Sequence, residues 1–315
     1  MSRVKSPKFS KVWQGVICAC YRNFVVALWH TPCMPMPLIA TDLDGTLLMT
    51  GSHEPHPDAV EAIHRALAAG IQVVLATGRA PIDVVPIAEI IGHRWFAVCC
   101  DGTTLVDLAR SEVVSTTPIA TDIKREVVRR LRSEFNDVRF LVDRVQLGPI
   151  NRDVYGLVFE QGFEAPWAWA LEGAQEVATI DEVLEDATIV KMCAYRPADG
   201  IDGVEYARIS AAVSDLVTTV RINSAQTFVD MCAKGVSKAS GVATIADMLG
   251  IASDHVFAVG DLHNDIEMLS WAGFSFAVAN AHDAVREIAD VIVPANDDGG
   301  VAQVVDAALE HLRAS

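Results

Sequence analysis

An apolar run, Leu38-Ile39-Ala40, leads directly into Asp42-Leu43-Asp44-Gly45-Thr46. The run predicts a strand and the glycine a turn, so two acids one residue apart fall where the strand stops. In a β-strand, residues i and i+2 point the same way. Both carboxylates can therefore face one site at the carboxyl end of a strand, where open α/β sheets place their chemistry. Such a pair can divide labour between a nucleophile and a general acid/base. Taken alone, the same residues also fit a surface turn, because Asp and Gly favour turns.

The rest of the chain narrows the choice. Val73-Val74-Leu75-Ala76 ends in Thr77-Gly78-Arg79, and Val256-Phe257-Ala258-Val259 ends in Gly260-Asp261-Leu262-His263-Asn264-Asp265. Between them, Lys234-Gly235-Val236-Ser237-Lys238 leads into a helical pattern. Asp/Asp, Thr, Lys and Asp/Asn/Asp clusters in this order resemble the four motifs of the haloacid dehalogenase superfamily of phosphotransferases. The local sequences are most similar to the Cof-type sugar-phosphate and cofactor phosphatases, over about residues 37–305. Each motif is weak alone; the four together are specific.

The resemblance implies roles residue by residue. Asp42 matches the nucleophile that becomes an aspartyl-phosphate, and Asp44 the residue that protonates the leaving oxygen and then activates water. Thr77, with Gly78, matches the segment that binds the phosphoryl oxygens. Lys238, within Gly235-Val236-Ser237-Lys238-Ala239, matches the family lysine, although Ala239 stands where a glycine is usual. Asn264 matches a residue that helps to hold the phosphate. Asp261 and Asp265 match the acidic metal motif, so that Asp42, Asp44, Asp261 and Asp265 make up the expected metal set. Arg79 is expected to be structural. One departure is Asp101-Gly102, where family members often carry Asn-Gly at the exit from the core; the aspartate adds a negative charge near the mouth of the site without an expected catalytic role.

Charge argues for a metal independently. With Asp44 protonated, Asp42, Asp261 and Asp265 carry three negative charges, and Lys238 returns one. An incoming phosphate dianion then meets net repulsion, about 4 kcal/mol for each unit-charge pair roughly 4 Å apart at an effective dielectric of about 20. A divalent cation removes that barrier, and oxygen ligands without His or Cys favour Mg2+ over zinc.

Composition excludes other classes. The net charge of −16 over 315 residues argues against nucleic acid or anionic membrane as a partner. The seven cysteines, Cys18, Cys20, Cys33, Cys99, Cys100, Cys193 and Cys232, are irregularly spaced and odd in number. They read as buried thiols of a cytoplasmic protein and not as a disulfide framework or a zinc site. Residues 1–36 differ from the remainder: Arg3, Lys5, Lys8, Lys11 and Arg22 stand there without any acid. The apolar stretch within it is broken by Tyr21-Arg22-Asn23 and is a poor membrane span. A disordered extension, or a start at Met34 or Met36, is expected.

Apolar strands alternating with helices predict an α/β fold with a parallel sheet covered on both faces. By resemblance this is a Rossmann-like core, at 37–106 and 231–315, with an α+β cap inserted at 107–230. Helices are expected over Asp58–Ala69, Thr121–Phe135, Lys238–Leu249 and Asn264–Trp271, and cap strands over Arg139–Val142, Ala187–Ala194 and Thr227–Met231. The function implied is a Mg2+-dependent phosphatase of a small phosphorylated substrate. A phosphomutase, or an idle sugar-phosphate-binding module, is the alternative. The absence of G-x-G-x-x-G after the first strand argues against a dinucleotide-binding dehydrogenase.

Overall fold

The computed structural model describes residues 36–151, 154–163, 173–196, 203–220 and 228–314. The expected extension at 1–36, with Cys18, Cys20 and Cys33, lies almost wholly outside the described residues, as does the start of the strand expected at Thr227.

The chain opens with β1 (Leu38–Thr41), α1 (Pro57–Ala68), β2 (Gln72–Ala76), α2 (Pro81–Ile90) and β3 (Phe96–Cys99). A hairpin of β4 (Thr104–Asp107) and β5 (Glu112–Thr116) follows, then α3 (Thr121–Glu134), β6 (Arg139–Val145), β7 (Gly148–Pro149), β8 (Tyr155–Glu160), β9 (Gln175–Val177) and β10 (Ile189–Tyr195). Next come α4 (Gly203–Val213), β11 (Val217–Val220), β12 (Phe228–Ala233) and α5 (Lys238–Leu249). The chain closes with β13 (Val256–Gly260), α6 (Ile266–Trp271), β14 (Phe274–Val278), α7 (Asp283–Arg286), β15 (Val291–Val293) and α8 (Val301–Ala314).

The core sheet runs β15-β14-β13-β1-β2-β3-β4-β5-β7, parallel from β15 to β3 and antiparallel beyond. Every residue of β1 is buried, as a strand covered on both faces requires. Its neighbours are β2 on one side and β13 on the other. The chain order thus reverses direction at β1, which is the switch point where open α/β sheets leave a crevice at their carboxyl ends. α1 starts at Pro57 behind the cap of His56, whose Nδ1 accepts from the Asp58 amide, and buries Ala59, Ala62, Ile63 and Ala66. Those small residues let it pack closely on α8.

The second sheet runs β11-β12-β10-β6-β8-β9. Alternation along its strands gives it two chemically different faces. Phe140, Val142, Met192, Ala194, Val229 and Met231 form an apolar core with Val127, Val128 and Leu131 of α3. The residues between them, including Asp143, Lys191 and Asp230, lie on the other face. The division expected at 106/107 falls inside the β4–β5 hairpin, both strands of which belong to the core sheet, and the one expected at 230/231 falls inside β12 of the second sheet. Cys99, Cys100, Cys193 and Cys232 are buried free thiols.

Candidate active site

The site gathers at the carboxyl ends of β1, β2 and β13 and the amino end of α5. Asp42 is tied into the ladder by its amide, which donates to the Val259 carbonyl at 3.0 Å. Gly45 turns the chain with a φ of +76°, and a Cβ there would sit 2.5 Å from Asp261 Oδ2, so only glycine lets this turn approach the fourth motif. Thr46 Oγ1 then donates to Asp261 Oδ1 at 3.0 Å.

Lys238 is the first residue of α5, behind the cap of Ser237. Its buried Nζ donates to Asp42 Oδ1 at 2.6 Å and to Asp265 Oδ1 at 2.8 Å. Burial pulls its pKa down, but Asp265 and Asp42 outweigh that and hold it above the ordinary lysine value. The other oxygen of Asp265, Oδ2, accepts from the amides of Asp261 and Leu262, both at 3.0 Å. Asp265 therefore caps the turn and faces the lysine at once.

Carboxylate oxygens of Asp42, Asp261 and Asp265 lie within 4.8 Å of one another. Burial raises the carboxyl of Asp42 well above the usual range, against the pull of Lys238. Burial, then the charge of Asp265, pushes Asp261 up to about 6. Three buried carboxylates with one ammonium are short of positive charge, and an all-oxygen donor set of this kind fits a hard divalent cation. The carboxylate of Asp44 is outside that group. It sits past the end of β1 and is held by Arg79, with Nε 2.8 Å from Oδ2.

Thr77 is buried, and its Oγ1 accepts from the Arg79 amide at 3.1 Å, which shapes the Thr77–Gly78 turn. Asn264 Nδ2 donates to Asp101 Oδ1 at 3.1 Å. Asp101, Lys238 and Asn264 share a crevice of about 330 Å3 with Tyr206, Thr218 and Thr219 of the second sheet and its helix. The amino end of α5 opens into this crevice, so its amide dipoles add positive potential there.

Sequence reasoning missed one residue that the structure brings to this place. Lys191 of β10 reaches across from the second sheet to within 3.4 Å of the Gly78 carbonyl. The signal was present: Lys191 and Asp230 are each a charge set between apolar strand neighbours. Arg79, expected to be structural, is the partner of a candidate catalytic acid.

The architecture and motif geometry are those of a haloacid dehalogenase-like hydrolase. Residues 39–305 match the family model described as Hydrolase_3, haloacid dehalogenase-like hydrolase, and the chain belongs to that family, a family of phosphatases. It is 30% identical over 272 residues to the Bacillus subtilis protein YxeH, covering 85% of this chain and 96% of that one. It is 27% identical over 277 residues to the pyridoxal phosphate phosphatase YbhA of Escherichia coli, covering 86% and 98%. The solved structure of BT1666 from Bacteroides thetaiotaomicron, a phosphatase of the same superfamily, shares the fold with a TM-score of 0.69 at 24% identity, covering 90% of this chain and all of that one. Among the described residues, no helix is long and apolar enough to cross a membrane.

Proposed function

We propose that this protein is a Mg2+-dependent phosphomonoester hydrolase of small phosphorylated metabolites, sugar phosphates or phosphorylated cofactors, working through an aspartyl-phosphate on Asp42. The observation that carries this reading is the Lys238 ammonium set between Asp42 and Asp265, 2.6 and 2.8 Å away, at the start of a helix. That arrangement orients one oxygen of Asp42 and leaves the other for phosphorus. Similarity to a pyridoxal phosphate phosphatase supports a phosphorylated cofactor as the substrate.

In this mechanism Asp42 attacks phosphorus and the bond to the ester oxygen breaks, while Asp44 gives that oxygen a proton. Asp44, now a carboxylate, takes a proton from water. The water oxygen attacks phosphorus, the bond to Asp42 breaks, and inorganic phosphate leaves. Thr77, the Gly78 amide, Lys238 and Asn264 hold the phosphoryl oxygens throughout, as phosphoryl transfer depends chiefly on positioning and charge neutralisation. Asp42, Asp261 and Asp265 would hold Mg2+, with Asp44 beside them; bound there, it supplies charge neutralisation between nucleophile and substrate. The second sheet, β11-β12-β10-β6-β8-β9, with α3 and α4 acts as the cap over the site. Buried free thiols support a cytoplasmic location.

The test is phosphate release from a panel of phosphorylated metabolites, with Mg2+ and with EDTA, for the wild type and Asp42→Asn. Metal-dependent release that disappears in a folded Asp42→Asn protein is expected. Turnover that persists in that variant would refute the nucleophile.

A further inference from the structure

Asp101 occupies a left-handed backbone position, φ 55° and ψ 32°, in the turn between β3 and β4, a conformation that Asp and Asn tolerate better than most residues. It is 1% exposed and touches two catalytic segments. Its amide donates to the Thr77 carbonyl at 3.1 Å, and its carboxylate lies so close over Gly78 that a Cβ there would sit 3.1 Å from Oδ1. The same Oδ1 accepts from Asn264 at 3.1 Å. A carboxylate only accepts, so Asn264 must present its NH2 to Asp101 and turn its own oxygen elsewhere. An asparagine in place of Asp101 would leave that choice open.

The charge of Asp101 is met from the second sheet. Its Oδ2 accepts no hydrogen bond among the described residues, and the ammonium of Lys191 stands 3.6 Å away. Lys191 is also 3.5 Å from Asp143 and 3.4 Å from Asp230, and 3.4 Å from the Gly78 carbonyl. Asp143 lies opposite Lys191 in the β6–β10 register, and Asp230 belongs to the next strand on the other side. Without the lysine, two carboxylates of the second sheet would face a third on the core in a buried setting, and the two sheets would repel each other there.

We propose that the Lys191–Asp101 ion pair is a positioning contact for phosphoryl transfer. It draws the second sheet onto the core and, through Asp101, fixes the orientation of Asn264 and the Thr77–Gly78 turn. Its catalytic consequence rests on the phosphatase reading above; the contact itself does not. Neither residue takes part in bond making; both act through the groups they hold.

Five proteins test this: wild type, Lys191→Met, Asp101→Asn, the double variant, and Lys191→Arg as the conservative control. Two measurements are made on each: kcat and KM for a phosphomonoester, and hydrogen exchange at the amides of 77–79 and 261–265. Lys191→Met is expected to lose about tenfold or more in kcat/KM, as removal of one partner of a buried pair leaves a charge uncompensated, and to exchange faster in both segments. Lys191→Arg is expected to retain most activity. Once Asp101→Asn has removed the core carboxylate, the lysine is no longer needed against it, while Asp143 and Asp230 still lack their cation; the double variant is therefore expected to be no poorer in activity or exchange than the worse single variant, well short of the two losses multiplied. Independent effects, in which the double variant is as poor as the two single losses multiplied, would overturn the proposal. So would a Lys191→Met protein with wild-type kinetics and exchange. If the wild type hydrolyses no phosphomonoester, the phosphatase reading fails, and the exchange measurements still decide whether the contact exists.

Discussion

Arg79 grips Asp44 by both carboxylate oxygens, Nε 2.8 Å from Oδ2 and Nη2 2.5 Å from Oδ1. The arginine side chain is 18% exposed and the aspartate 54%, so the arginine is the fixed partner and the acid the movable one. The residue proposed to serve the leaving oxygen is parked on a guanidinium and must rotate away to carry a proton. Arg79→Ala should therefore lower kcat/KM moderately, by about tenfold, through lost orientation. Asp44→Asn should cost about 10²- to 10⁴-fold, the usual worth of a general acid/base. Equal losses in the two variants would mean that Arg79 itself meets the reacting phosphoryl group.

Mg2+ should stabilise the fold as well as support turnover. A ligand that binds only the native state adds RT ln(1 + [L]/Kd), about 2.7 kcal/mol at 100 Kd. Thermal unfolding of the wild type should shift upward with Mg2+ and return after chelation. In Asp261→Asn that shift should shrink or vanish, because one of three clustered carboxylates is gone. A shift of wild-type size in the variant would place the cation elsewhere.

Gly102 lets the Asp101 turn lie directly against the approach to the Lys238 helix. Its φ is +104°, and a Cβ there would lie 2.1 Å from the Ser237 carbonyl oxygen, immediately before Lys238. Gly102→Ala combines backbone strain with a collision against main chain, on the order of 3 kcal/mol. Urea unfolding followed by circular dichroism should show a lower midpoint. An unchanged midpoint would mean that the Ser237 turn yields freely.

His93 links stability to pH. It is 3% exposed, its Nδ1 has no hydrogen-bond partner among the described residues, and burial lowers its pKa to about 4 from the ordinary 6.5. The unfolded chain therefore binds this proton more readily than the folded one. The contribution is complete above about pH 6.5 and is lost as pH falls toward 4, at most roughly 3 kcal/mol. His93→Gln should lose stability less steeply than the wild type across that window. Parallel curves for the two proteins would show that the ring titrates alike in the folded and unfolded chain.

The core was legible because its chemistry and its periodicity coincide. β1, β2 and β13 are continuous apolar runs, each ending in the polar residues that the sheet delivers to one crevice. The Lys238 helix was equally plain, with Ser237 before it and Gly250 after it. α2 was not, because Pro81 and Pro86 interrupt a segment too evenly apolar to show a face. The domain edges were hidden for another reason. The β4–β5 hairpin pairs locally in an antiparallel register, yet it extends a parallel sheet, and nothing in its residues says which sheet it joins. Lys191 escaped notice because its three acidic neighbours lie 39 to 90 positions away along the chain, and only strand register brings them together.

The central place of β1 also sets a schedule. Its partner β13 begins only at Val256, so one edge of the strand has no mate until the whole intervening segment has been made. Asp42 is made first, and Lys238 follows it only 196 positions later, with Asp261 and Asp265 later still. Through that interval the proposed site is incomplete, and the open edge of an apolar strand is a surface on which chaperones or other chains can pair.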